Sequence, residues 1–239
     1  MRYGKFLRLV LWEFEEIWHF PTLELIAGIA IFFGLSTSST ITVLPSARGL
    51  DVEFALSRFF MFQMLLIAVL FARSIAGCIE KREILIFFTY PVKRTSVLAS
   101  KFLINLSLTF IIFGSVVIAR ALIVHLEPWN TSVLIVLFIL FLQTFFLSTL
   151  SLIFSIITKR TWAAMLLVII FFFTISSALS QLEPPFKYLF GTDPIFYCLT
   201  MGFTHYTFED FTVALGSIVI TSIVFLLTSF IYFKRMQVD

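Results

Sequence analysis

Ser132-Val-Leu-Ile-Val-Leu-Phe-Ile-Leu-Phe-Leu-Gln143-Thr-Phe-Phe-Leu-Ser-Thr-Leu-Ser-Leu-Ile-Phe-Ser-Ile-Ile157 runs without a single charged residue. A helix rises about 1.5 Å per residue, so about 20 residues cross a hydrocarbon core of ~30 Å. This stretch exceeds that length. Five other apolar segments do so as well: Leu23–Leu44, Phe59–Ile79, Phe102–Val124, Trp162–Leu182 and Phe211–Phe233. The 239-residue chain is 60% hydrophobic and only 13% charged, against about 25% charged residues in soluble domains. That leaves too little polar surface to cover a soluble globule. The expected fold is an all-α membrane protein with six transmembrane helices, forming one domain over 21–239.

Residues 1–20 do not read as a signal peptide, because Arg2, Lys5 and Arg8 are interleaved with apolar residues. Tyr3, Phe6, Leu7, Val10, Phe14, Ile17 and Trp18 recur at three- and four-residue steps, which places them on one helix face. The pattern predicts an N-terminal interfacial amphipathic helix, separated by Pro21 from the first span.

Lysine and arginine in the connecting segments set the orientation. One side carries Arg2, Lys5, Arg8, Lys81, Arg82, Lys93, Arg94, Lys101, Lys159, Arg160, Lys234 and Arg235. The other carries Arg48, Arg58, Arg120 and Lys187, among seven acidic residues. The bias predicts a multi-pass protein of the plasma membrane with both termini in the cytoplasm. Two connections are longer than the rest: cytoplasmic 80–101 and outer 183–210. The second is apolar enough to contain a short re-entrant piece. Cys78 and Cys198 fall near opposite faces of the membrane and are expected as free thiols.

Several chemistries are disfavoured. The nine glycines are dispersed and form no phosphate-binding loop. His19, His125 and His205 lie far apart, and no His-Glu-x-x-His occurs. No Gly-x-Ser-Gly lies in a span. Glu15-Glu16 resembles the glutamate pair of CAAX-type intramembrane proteases, but Phe20 stands where that pattern wants arginine. The basic residues form no stripe that would suit nucleic acid. The chain is therefore not expected to be an enzyme, and no metal or cofactor is expected on it.

The informative connection reads Glu80-Lys81-Arg82-Glu83-Ile84-Leu85-Ile86-Phe87-Phe88-Thr89-Tyr90-Pro91-Val92-Lys93-Arg94-Thr95-Ser96-Val97-Leu98-Ala99-Ser100-Lys101. It leaves the second span with four charges and predicts a short amphipathic helix through Phe88. Pro91 ends that helix, because the residue before proline disfavours helical geometry. Thr95 or Ser96 is the expected cap of the next span. A short surface helix with charged ends suits docking into a groove on a soluble partner; the bland alternative is that these charges only anchor the spans.

This stretch resembles the ABC-2 type permeases, the membrane subunits of one class of ATP-binding cassette exporters. Glu80, Lys81, Leu85, Pro91, Val92, Arg94 and Lys101 match that family's loop between spans two and three. Glu83-Ile84 departs from the Gly-Thr often found there. Two weaker likenesses are Ser155–Ala164, at the turn from the fourth span to the fifth, and Asp193-Pro194-Ile-Phe-Tyr197 after the fifth. The resemblance implies a permease that pairs with a second protomer, as a homo- or heterodimer. It also implies docking of two soluble ATPase subunits on separate chains, with ATP and magnesium bound there. The 80–94 segment is then the coupling helix, and Glu80, Lys81, Arg82, Glu83, Leu85, Phe88, Pro91, Lys93 and Arg94 are the docking residues.

Arg73, Arg120 and Gln143 are polar groups within the spans, each with two readings. Arg73 snorkels to the headgroups or pairs structurally, or else serves a substrate path or gate. Arg120 does likewise, with Glu127 as a possible partner. Gln143 bonds across helices or touches substrate. The 32 phenylalanines read as packing and lipid-facing residues. A non-transporting membrane scaffold is the alternative function, and an intramembrane enzyme the remoter one.

Overall fold

The computed structural model describes residues 10–12, 14–15, 24, 28, 62–83, 93–123, 127, 129–201 and 205–236, without the side chains at 120, 132, 176, 196, 200 and 201. Among these residues all regular structure is helical. Five helices are long and apolar enough to cross a membrane: α1 (Phe62–Glu80), α2 (Arg94–Ile123), α3 (Thr131–Thr158), α4 (Thr161–Leu179) and α6 (Phe208–Arg235). A short helix, α5 (Asp193–Met201), precedes α6. The expected first span, 23–44, lies outside the described residues except for Glu24 and Gly28, which are helical. Of the expected interfacial helix, Val10, Leu11, Trp12, Phe14 and Glu15 are described, and all are helical.

α3 organises the bundle. It packs against α1, α2, α4, α5 and α6. From Phe146 to Leu152 every residue is buried. A helix covered all round belongs at the centre of its bundle. Aromatic edges lock its neighbours to it. Phe102 of α2 meets Phe145 at 6.1 Å, Phe110 of α2 meets Phe141 at 5.7 Å, and Phe171 of α4 meets Phe154 at 5.4 Å, each edge-on. Ring pairs prefer this tilt because the positive ring edge faces the negative π cloud.

The hydroxyls within these helices are mostly consumed locally. Thr109, Thr144, Ser155 and Ser222 each donate to the carbonyl four residues back, which satisfies them without a partner helix. Gln63 in α1 crosses to α3, its Nε2 donating to Thr144 Oγ1 at 2.6 Å. Asn105 in α2 is fully buried, and neither of its amide atoms has a partner among the described residues, a departure from the rule that buried polar groups pair.

α1 contains a π-helical segment, Ala72–Gly77, a local widening that proteins use sparingly. Its Ala72 and Ala76 form a fully buried cluster with Ala164 of α4. A β-carbon added at Gly77 would stand 3.5 Å from Thr161 Oγ1. Small side chains let these two helices approach closely, as at other interfaces in an apolar solvent.

One expectation needs correction, the start and cap of α2. α2 begins at Arg94, eight residues before the apolar run at Phe102. The Val97 N–H donates to the Lys93 carbonyl, so Thr95 and Ser96 lie inside the first turn rather than capping it. The long 183–210 connection is partly ordered as the 3₁₀ turn Phe186–Tyr188 and as α5. Proline at the second position of α5 suits a helix start, where its missing N–H has no partner to lose. Nine residues span only about 13 Å, so α5 alone does not cross a membrane.

The α1–α4 contact leaves little room for added volume. Ala164→Leu is expected to destabilise the bundle by ~1–3 kcal/mol through overpacking, measured as thermal unfolding in mild detergent, whereas Ala164→Ser is expected to leave the midpoint nearly unchanged.

Candidate functional site

One end of the bundle gathers the described positive charges Lys81, Arg82, Lys93, Arg94, Lys159, Arg160, Lys234 and Arg235. The opposite end carries Glu127, Glu183, Lys187, Asp193, Glu209 and Asp210. The 80–94 connection belongs to the basic end, and both of its ends are tied to other helices.

At its start, α1 finishes at Glu80, and residues 81–83 form a turn. Arg82 takes a left-handed conformation with φ of 60°, which stops the helix by turning the chain away from its axis. Glu80 then faces α4. Its Oε2 accepts both the Thr161 backbone N–H at 3.0 Å and the Thr161 hydroxyl at 2.9 Å. The first N–H groups of a helix have no intrahelical partner. Here a carboxylate from another helix supplies one, where its charge also opposes the positive end of the α4 dipole. The bond is open to solvent, so water competes for it. Lys81 and Glu83 stand 4.0 Å apart with exposed side chains, a pair of small energetic weight.

At its other end, Arg94 Nη1 donates to the Met236 carbonyl at 2.9 Å. That carbonyl lies just past the end of α6. The connection is thus bonded to α4 at one end and to α6 at the other, across sequence separations of 81 and 142 residues. Lys93 is exposed. Leu85, Phe88 and Pro91, with the remainder of the expected coupling helix, lie outside the described residues.

The intramembrane candidates separate. Arg73 sits in the π-helical segment with an exposed side chain. Arg120 belongs to α2, its side chain outside those described. Gln143 bonds towards the acidic end, its Nε2 donating to Thr192 Oγ1 at 2.8 Å, while its buried Oε1 has no partner among the described residues. Among the described residues, Gln143 and the ends of the 80–94 connection have separate partners, Thr192 for the first and Thr161 and Met236 for the second.

At the acidic end, Thr207 caps α6. The Asp210 carboxylate accepts from the Thr207 N–H and hydroxyl, both at 2.8 Å, and the Asp210 N–H donates back to the Thr207 oxygen. This reciprocal box has a sequence signature, Thr-x-x-Asp ahead of an apolar run. Cys78 and Cys198 are both buried, and among the described residues neither forms a disulfide. Burial and the nearby Asp210 carboxylate push the Cys198 thiol up, so little reactive thiolate forms there. Among the described residues no group of three His, Cys, Asp or Glu side chains could hold a metal.

No protein-family model matches the chain, and no curated protein matches it. The tether between Glu80 and Thr161 is testable by itself. Glu80→Ala and Thr161→Val are each expected to lower the thermal midpoint in detergent, and the double variant to fall by less than the sum. Full additivity would show that the two side chains do not act together.

Proposed function

We propose that this chain is the membrane-spanning permease subunit of an ABC exporter. In this reading the chain crosses the plasma membrane six times behind an N-terminal interfacial helix, with both termini and the basic end in the cytoplasm. ATP and magnesium bind two soluble ATPase subunits, and two permease protomers together line the path for substrate. The observation that carries the reading is the 80–101 segment. Its acidic-basic start, proline and later basic positions resemble the coupling loop of the ABC-2 type permeases. The five long apolar helices and the lack of a phosphate-binding loop in the sequence are compatible with it.

The two tethers supply a mechanical route for this function. A partner pressing on 84–92 displaces a segment anchored at Glu80 and Arg94. Through Thr161 the displacement reaches the start of α4, and through Met236 it reaches the end of α6. These are the helices with the smallest buried share of their spans, 12% and 22%. They can therefore shift against lipid or a second protomer at less cost than α3, which is enclosed by its neighbours. In this scheme Glu80 and Arg94 transmit the motion, while Lys81, Arg82, Glu83 and Lys93, with Leu85, Phe88 and Pro91, form the surface the ATPase meets.

Purification of the tagged chain from its native membrane in gentle detergent is expected to recover a phosphate-loop ATPase in stoichiometric amount. Replacing 84–92 by a Gly-Ser linker, leaving Glu80 and Arg94 in place, is expected to lose it. Recovery of the folded chain without any ATPase would overturn the proposal. An ATPase whose turnover ignores the permease would point to a scaffold.

A further inference from the structure

At the basic end, the turn between α3 and α4 and the last two turns of α6 enclose an open cleft of about 400 Å³. Its walls are Lys159, Thr228, Ile231, Tyr232, Arg235 and Met236. The four α6 residues from Thr228 to Arg235 are spaced three and four apart, so they form one continuous helix face. Lys159 reaches the cleft from a two-residue turn. It holds a left-handed conformation with φ of 55°, and its N–H donates to the Ser155 carbonyl. Both walls are held by the tethers described above, through Thr161 on one side and the Met236 carbonyl on the other.

The cleft is cationic. No described carboxylate lies within ion-pairing distance of Lys159 or Arg235. The Tyr232 hydroxyl adds a donor. The Thr228 hydroxyl does not, because its proton is committed to the Val224 carbonyl at 2.6 Å and a hydroxyl has only one to give. An ammonium and a guanidinium facing one space suit a phosphate group, which accepts charge-assisted hydrogen bonds from both.

The surface leading away from the cleft is apolar. Ile231, Leu227, Val224 and Ile220 descend α6 at steps of four, three and four residues, and all four are exposed. A phosphate in the cleft would therefore have a hydrocarbon track beneath it, running along the helix axis towards the middle of the span. Free phosphate has no use for such a track. An acidic protein segment would leave it uncovered.

The geometry points to a binding site for one anionic phospholipid, its phosphate between Lys159 and Arg235 and an acyl chain along the exposed face of α6. Basic clefts between helices on the cytoplasmic side recognise anionic headgroups by this combination of charge and apolar contact. The site rests on the helices crossing a membrane with their basic end at the headgroups. It does not depend on the permease proposal, because it needs no ATPase and no transport.

The test is native mass spectrometry of the chain purified alone in neutral detergent. It would be titrated with phosphatidylglycerol, with phosphatidylcholine of the same acyl chains, and with inorganic phosphate. Phosphatidylglycerol is expected to occupy one site per chain about 30-fold more tightly than phosphatidylcholine, and phosphate is expected not to displace it. A Lys159→Gln, Arg235→Gln variant is expected to lose that preference while keeping its thermal midpoint in detergent. Lys187→Gln, at the opposite end, is expected to keep the preference. Equal binding of the two lipids by the unaltered chain would overturn the site whether or not the variant folds. So would displacement by phosphate at matched concentration, or an unchanged preference in a folded double variant. A chain that stays monodisperse without detergent would instead overturn the membrane reading on which the site rests.

Discussion

The middle of α3 has no exposed face. Seven successive residues, Phe146 to Leu152, are buried, and a helix can be in that position only if other helices surround it. Every other packing relation follows from this. α1, α2, α4 and α6 each use one side against α3 and leave another side outward. In an apolar solvent this arrangement is allowed only because each helix satisfies its own backbone hydrogen bonds. Packing detail then decides which helices lie close. Phenylalanine edges fill the α2–α3 and α3–α4 seams, and alanines bring α1 against α4.

Around that centre the helices differ in how firmly they are held. α1 is mostly enclosed, whereas α4 and α6 are mostly outward. The short-range ties at the basic end join the less enclosed helices to the 80–94 connection: Glu80 to Thr161, and Arg94 to the Met236 carbonyl. Each is a modest interaction, partly open to solvent. Together they bond the two described ends of the connection to two peripheral helices. Under the permease proposal, that is where force from a partner would enter the bundle. Under the lipid-site inference, the same two bonds hold the walls of the cationic cleft in place.

Hydrophobic length alone located the spans of five helices, because twenty apolar residues leave few alternatives to a helix that crosses a membrane. Ser132–Ile157 differs from α3 by one residue at each end, and Trp162–Leu182 from α4 by one and three. The start of α2 was not legible in the same way. Residues 94–101 are too polar to join an apolar run, yet they continue the helix at its basic end. α5 was legible only as a short piece somewhere in the apolar 183–210 connection, because nine residues are too few for hydrophobic length to set their bounds. The Thr207–Asp210 box did have a local pattern. The Glu80–Thr161 pair had none, since 81 residues separate its members and only the packing of α1 on α4 brings them together. Likewise Lys159 and Arg235 read as scattered anchoring charges until α3, α4 and α6 place them on one cleft.

The central proposal is that α2, α3 and α4 each cross the bilayer, with Glu80 and Arg94 on the cytoplasmic side and the 183–193 segment outside. Lys93 and Lys187 are both exposed and are separated along the chain by three long apolar helices. The direct measurement is side-specific labelling of Lys93→Cys and Lys187→Cys, each in a chain with Cys78 and Cys198 replaced by alanine. A membrane-impermeant maleimide applied to intact cells is predicted to label the cysteine at 187 at once, and the cysteine at 93 only after the membrane is opened. Labelling of both from the same side, or of position 93 from outside, would contradict the account.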